Sequence, residues 1–395
     1  MLEGVKVLDL CHVLGGPFAG QLLAQLGAEV IKVEAPEGDY SRTVPPHWFE
    51  GDSSFFLSCN RGKKSVVLDL KHPQGKAAFM DLVRAADAVI YGFAPDVPAR
   101  LGIDHASLAA VNPRIVVGEL IGLHDQAPFS KAPSFDLIVQ AVSGFMSLTG
   151  EAGRAPVRAG YQVADLAGGL YLALGTVGAL FKALKSGQGR KVQVSLLDCQ
   201  IAMLTWQAQN YFISGEVPRA SGARHPMIAP SEVFQCADGA WLAISPTGEG
   251  FWKAFCEALG RPDMATDPRF CSAAARIAHV DALAAELGVL FATQPARHWE
   301  DLFFAARVPA GKVNDVGEAV SQPVARLRGM VESLPHPVSG QLMQFLGSVF
   351  KFSGSPSLAY PPRLGEHTHA VLAGLCGYTP AQLQALSDGK AILQA

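Results

Sequence analysis

Val5-Lys6-Val7-Leu8-Asp9-Leu10, Leu14-Gly15-Gly16-Pro17 and Val30-Ile31-Lys32-Val33-Glu34 decide the fold. The first is a short apolar run that reads as a strand. The second reads as a turn with Pro17 placed for a helix start. Phe18, Leu22, Leu23 and Leu26 then recur at helical spacing, and Gly27 is the stop. The third is a second strand ending on an acid. Strand, helix and strand make a βαβ unit, the seed of a parallel sheet covered by helices.

Outward from this unit the alternation continues. Strands are expected at Ser65 to Leu70, Ala88 to Tyr91 and Arg114 to Leu120, with a helix over Gly75 to Ala86. A long apolar helix runs from Asp165 to about Leu184, followed by a turn at Ser186-Gly187-Gln188-Gly189 and a strand over Lys191 to Leu196. Character changes near residue 225. Val233 to Cys236 and Trp241 to Ile244 flank Ala237-Asp238-Gly239-Ala240 as a hairpin. Helices are expected over Gly250 to Leu259, Ala273 to Ala292 and Ala296 to Ala306. The reading is an α/β chain: a large Rossmann-like domain (1–224), a smaller α+β domain (225–325), and a C-terminal segment (326–395) that returns to the large domain.

The bulk numbers bound the function. At 49% apolar and 17% charged residues the chain is a well-buried globular protein. A net charge of −3 argues against a nucleic-acid or acidic-membrane partner. Between Asp165 and Lys182 lie 16 uncharged residues, four of them glycine. That is shorter than the roughly 20 needed to span a bilayer, so a core helix is expected. The start lacks a signal-peptide pattern, and seven scattered cysteines without a Cys-x-x-Cys pair suggest reduced thiols, so a cytoplasmic location is expected.

Several motifs carry two readings each. Gly15, Gly16 and Gly20 with Glu34 approach a dinucleotide fingerprint but lack its spacing. His367 and His369 beside Glu366 have no further ligand at zinc spacing. Arg61, Lys63, Lys64 and Lys71 form either a solvated face or a docking site for an anionic ligand. His12 ends the first strand, a functional place in α/β sheets and also a common place for a satisfied edge histidine. Asp165 opens the apolar helix. It is either an N-cap, which helix-start statistics favour, or a carboxylate kept ionised by the helix terminus beside free N–H groups that would stabilise an oxyanion.

Taken in order, the motifs resemble class III CoA-transferases, the group that includes formyl-CoA transferase, carnitine CoA-transferase and α-methylacyl-CoA racemase. The resemblance rests on Val7-Leu8-Asp9-Leu10 through Gly16-Pro17, Leu26-Gly27-Ala28-Glu29-Val30-Ile31-Lys32-Val33-Glu34, Asn60-Arg61-Gly62-Lys63-Lys64-Ser65 and Arg100-Leu101-Gly102. It extends through Phe135-Asp136, Ala164-Asp165, Ala229-Pro230, Asp267-Pro268-Arg269-Phe270 and Leu364-Gly365-Glu366-His367. It implies a homodimer of two interlocked chains that takes an acyl-CoA donor and a carboxylic acid acceptor. Coenzyme A is then a substrate, with no permanently bound cofactor or metal.

By position, Asp165 matches the aspartate that becomes acylated, through an aspartyl anhydride and an aspartyl-CoA thioester. His12, Val13, Leu14 and Gly15 match the loop beside the thioester. Leu68, Lys71, Phe93 and Arg100 match positions that hold the CoA nucleotide. Phe135, Asp136 and Gly248 are expected at the acyl pocket, and Arg42 and Arg158 are cations that a second carboxylate would use. Leu14, Ala35 and Gly92 depart from the residues frequent in relatives. The alternative readings are a 2-methylacyl-CoA racemase and a non-catalytic CoA-binding relative. A racemase places a proton-carrying histidine where this chain has Phe135, which cannot exchange a proton.

Overall fold

The computed structural model describes residues 1–395, which divide into two compact units. The first comprises Met1–Phe145, Arg158–Ser214 and Arg326–Ala395; the second comprises Met146–Val157 and Gly215–Ala325.

In the first unit the opening residues form β1 (Lys6–Asp9), α1 (Gly15–Gln25) and β2 (Glu29–Glu34). β3 (Lys63–Leu68), α2 (Pro73–Ala85), β4 (Ala88–Tyr91) and β5 (Val116–Ile121) follow. Then come the helices α3 (Asp136–Val142) and α4 (Val163–Ser186) and the strand β6 (Lys191–Ser195). The sheet order is β3-β2-β1-β4-β5-β6, all parallel, with the C-terminal strand Ile392–Leu393 antiparallel on the outside of β3.

Adjacent residues on a strand face opposite ways, and here both faces are covered. Leu8, Ile31, Val66, Val89 and Val117 pack on Phe79 and Leu82 of α2, whereas Val7, Val30, Ile90 and Val116 pack on Leu22, Leu23 and Leu172 from α1 and α4. This explains the continuous apolar runs in the sequence. Because the chain moves from β1 outward to β3 and then returns to place β4 on the other side of β1, the sheet has a switch point between β1 and β4. A crevice opens there at the carboxyl ends of the strands.

Three expectations change. Gly15-Gly16-Pro17 is the first turn of α1 and not a separate turn. Its glycine has a packing reason: a Cβ on Gly15 would lie 2.7 Å from the Asp165 carbonyl oxygen, and one on Gly169 would lie 2.3 Å from the Gly15 carbonyl oxygen. The two helix starts therefore meet backbone to backbone. The helix expected over Ala273 to Ala292 is two, Ala273–Ala278 and Val280–Phe291, broken at His279 (φ −118°, ψ 30°).

Two of the four cations in the run, Arg61 and Lys63, are neither solvated nor free to dock an anion. Lys63 is fully buried within β3, donating to Asp9 at 2.7 Å, the Pro17 carbonyl at 2.8 Å and Asn60 Oδ1 at 2.9 Å. Arg61, also buried, donates to the Leu346 carbonyl at 2.7 Å and to Glu332 at 2.6 Å, tying in the hairpin Val331–Pro335/Leu342–Leu346. Only Lys64 and Lys71 of the run reach the surface.

The second unit holds the expected hairpin, β7 (Glu232–Gln235) and β8 (Trp241–Ile244), with β9 (Ala310–Lys312) antiparallel on β8. Helix α5 (Glu249–Ala258) contributes Trp252 and Phe255 to a core of aromatic rings with Phe291, Trp299 and Phe303.

The contact between α1 and α4 yields a prediction. Gly169→Ala drives a methyl group into the Gly15 backbone and destabilises the protein by ~1–3 kcal/mol. Gly374→Ala, in helix Thr368–Cys376 where an added methyl meets nothing within 4 Å, stabilises it by ~0.5–1 kcal/mol. Thermal melts of the two variants should move in opposite directions.

Candidate active site

Two carboxylates meet at the start of α4. Asp136, buried at the head of α3, accepts hydrogen bonds from Ala164 N at 2.8 Å and Asp165 N at 3.5 Å, while its other oxygen accepts from Gln140 at 2.6 Å. Asp136 is thus the group that caps α4, from outside the helix. Asp165 is not the N-cap; it is the third residue of α4, following Gln162 as the capping position.

No donor reaches the Asp165 carboxylate. Burial, and then the charge of Asp136, push its pKa up to about 6. The second of the two sequence readings had the helix start keep this group ionised and supply oxyanion donors. The opposite shift arises from burial and the neighbouring Asp136 charge, with no offset from the N–H groups of Ala164 and Asp165, which Asp136 takes. The start of α1 differs: Leu14 provides no side-chain cap, which leaves the Gly15 and Gly16 N–H groups as donors there.

Asp165 lines a cavity of about 430 Å³ at the switch point. His12, Val13, Leu14 and Gly15 enter from the end of β1, Phe93 from the end of β4, and Phe135 from the start of α3. Phe135 is 75% exposed and places no proton-carrying group beside Asp165. Lys131, which carries no ion pair, also lines this cavity. A second cavity of about 170 Å³ is lined by Leu68, Lys71 and Leu101 together with His12 and Phe93. His12 and Phe93 therefore border both cavities, their ring centroids 5.9 Å apart. Burial, and then Lys32, lower the His12 pKa, so the ring is neutral at pH 7.

Not every expected residue joins these cavities. Asp136 sits behind the helix start and lines neither. Arg100 is exposed and pairs with Asp96 at 3.2 Å. Gly248 belongs to the second unit, where it precedes α5 with φ +88°. Glu34, the candidate ribose ligand, is occupied by Arg42 at 2.7 and 2.8 Å and by Ser65 Oγ at 2.7 Å, so Arg42 is also unavailable to a substrate carboxylate. His367 and His369 tie the C-terminal segment to β3 and to Ser387. No group of three or more metal-type side chains is assembled.

Sequence reasoning missed Lys32, Asp39 and Lys131. Lys32 gave a signal, a lone cation inside Val30-Ile31-Lys32-Val33. Lys131 ends the single 3-10 turn Phe129–Lys131, which has no apolar periodicity to mark it.

The raised pKa of Asp165 has a stability consequence. A carboxylate with a folded pKa of about 6 against an ordinary 3.8 costs ~3 kcal/mol once ionised, fully above pH 6 and not at all below 3.8. Asp165→Asn should therefore stabilise the protein at pH 8 by up to that amount, and the gain should shrink toward pH 4. Urea melts at both pH values measure it; an equal gain at both would contradict the shift.

Known proteins resemble this chain over most of its length. The profile described as CoA-transferase family III matches residues 2–368. A succinate–glutarate CoA-transferase of Agrobacterium fabrum is 38% identical, covering 95% of each chain. An acetyl-CoA:oxalate CoA-transferase of Acetobacter aceti is 40% identical over 83% of this chain and 85% of its own. The crystal structure of a CAIB/BAIF family protein from Brucella suis superposes with a TM-score of 0.82 at 35% identity, covering 95% of this chain and 99% of that one. The chain belongs to CoA-transferase family III and is an enzyme of that class.

Proposed function

We propose that the enzyme moves CoA from an acyl-CoA to a carboxylic acid through covalent intermediates on Asp165. The carrying observation is the Asp165 carboxylate itself, half-buried in the switch-point cavity without a hydrogen-bond donor. A desolvated carboxylate with a pKa of about 6 is largely ionised at pH 7 and more nucleophilic than a solvated one.

Asp165 attacks the donor thioester carbonyl, forming a mixed anhydride and expelling CoA thiolate. The thiolate attacks the aspartyl carbonyl, releasing the donor acid and leaving an aspartyl-CoA thioester. The acceptor carboxylate attacks that thioester and again expels thiolate. The thiolate then attacks the acceptor's acyl carbon, giving the new acyl-CoA and regenerating Asp165. Each step exchanges a thioester with an anhydride, so no ATP is consumed. The N–H groups at the start of α1 are the candidate donors to the tetrahedral oxyanions. Leu68, Lys71 and Phe93, which line the second cavity, hold the nucleotide end, and His12 to Gly15 lie along the thioester. Phe135, on the wall of the same cavity, bounds the acyl group.

A dicarboxylate is the favoured acid. The two relatives named above act on succinate, glutarate or oxalate by their names, and Lys131 offers this cavity an unpaired cation. The homodimer is supported by α4. It is long and apolar enough to cross a membrane, with half of its most apolar stretch buried, and it exposes Leu170, Leu174, Phe181 and Leu184 at helical spacing. A contiguous apolar stripe of this kind suits a second chain.

Asp165→Ala should lower CoA exchange by at least about a thousandfold, and wild-type enzyme given acyl-CoA and hydroxylamine should carry a hydroxamate on Asp165. Full exchange by the variant would overturn the mechanism. Lys131→Ala should raise KM for a dicarboxylate by about tenfold while leaving a monocarboxylate of equal length unchanged. Sedimentation should give twice the 41.8 kDa chain mass, and Leu174→Glu should shift it toward the single chain.

A further inference from the structure

The Lys32 and Asp39 side chains are fully buried, with their charged atoms 2.7 Å apart. Burial opposes both charges, yet Asp39 is held well below the usual carboxylate range by Lys32, and Lys32 well above its own by Asp39 and Asp9. Such a pair adds little net stability, because desolvating two ions offsets most of their attraction. Its remaining hydrogen bonds suggest another role. Lys32 Nζ donates to the Cys11 carbonyl at 2.8 Å, and Asp39 Oδ1 accepts from Val13 N at 3.1 Å and Ser41 N at 2.9 Å. The pair grips the backbone on both sides of His12.

What it grips is strained. Val13 has φ +71°, a region that a β-branched residue rarely enters. Strain of this kind persists only where the surroundings over-determine it, and it clusters at functional sites. His12 and Val13 line the cavity that holds Asp165, and His12 also borders the second cavity. Asp9, fixed by Lys63, accepts from Cys11 N at 2.9 Å and anchors the same loop from its strand end.

We infer that Lys32 and Asp39 are positioning residues of the acyl-transfer site: their ion pair holds Val13 left-handed and so sets His12 and the start of α1 against Asp165. This rests on Asp165 as the nucleophile. The pair touches no substrate and acts through the loop. Loosening it slows acylation and leaves binding at the nucleotide end, around Leu68 and Lys71, in place.

The test compares two double variants that remove both charges together. Lys32→Met/Asp39→Leu has no acceptor for the Val13 N–H, whereas Lys32→Met/Asp39→Asn keeps one. Single-turnover acylation of Asp165 and the KM for the acyl-CoA are read side by side, with folding checked by melting temperature and circular dichroism. The leucine variant should acylate about tenfold or more slowly with KM within about threefold, and the asparagine variant should lose less. Should the leucine variant fail to fold, the asparagine variant alone decides: acylation slowed at least about twofold with unchanged KM supports the inference, and wild-type acylation overturns it. Equal losses in two folded variants, or no loss in either, also overturn it. If wild-type enzyme forms no adduct on Asp165 at all, the mechanism fails and not the clamp.

Discussion

Asp136 decides what Asp165 can be. One carboxylate at a helix start accepts the exposed N–H groups and is satisfied; a second in the same turn then finds none left. Asp136 reaches α4 from another helix and takes Ala164 N and Asp165 N. Asp165 keeps its charge in a half-buried cavity with a like charge beside it, and its pKa rises accordingly. A group so placed is unstable as a structural element and suited to covalent chemistry, because attack on an acyl carbon removes the charge that the fold tolerates poorly.

The rest of the first unit serves to keep that turn where it is. Backbone contact between Gly15 and Gly169 brings the start of α1 against the start of α4, so two helix termini border one cavity. The sheet and the loops that follow β1 and β2 carry a set of paired, buried charges: Asp9 with Lys63, Lys32 with Asp39, and Glu34 with Arg42. These pairs are almost wholly removed from solvent and are spent on the loops that follow β1 and β2. Residues that looked like ligand contacts in the sequence, Glu34 and Arg61 among them, turn out to be bound within the fold, Glu34 to Arg42 and Ser65 and Arg61 to Glu332 and the Leu346 carbonyl.

The sequence made the parallel sheet legible because its strands are buried on both faces and flanked by glycine. Strand positions came out within two residues, as with Ala88–Tyr91 and Trp241–Ile244. The His12 to Gly15 loop and Asp165 were legible as candidates, and they do line one cavity. The role of Asp136 was not, since it caps a residue 28 positions away and leaves no local pattern. Lys63 and Arg61 were misread for the same reason, their partners Asp9 and Glu332 lying 54 and 271 positions distant. Propensity and spacing describe neighbours along the chain; a buried charge is decided by neighbours in space.

The most direct measurement follows an oxygen. Enzyme turning over with an acceptor acid labelled in its carboxylate with oxygen-18 should be digested and the peptide containing Asp165 weighed. If the acceptor carboxylate attacks an aspartyl-CoA thioester and the resulting anhydride is cleaved at the acceptor's acyl carbon, one heavy oxygen stays on Asp165. Label at that side chain, dependent on acyl-CoA, is the predicted result. Full exchange of CoA with no label on Asp165 would contradict the account.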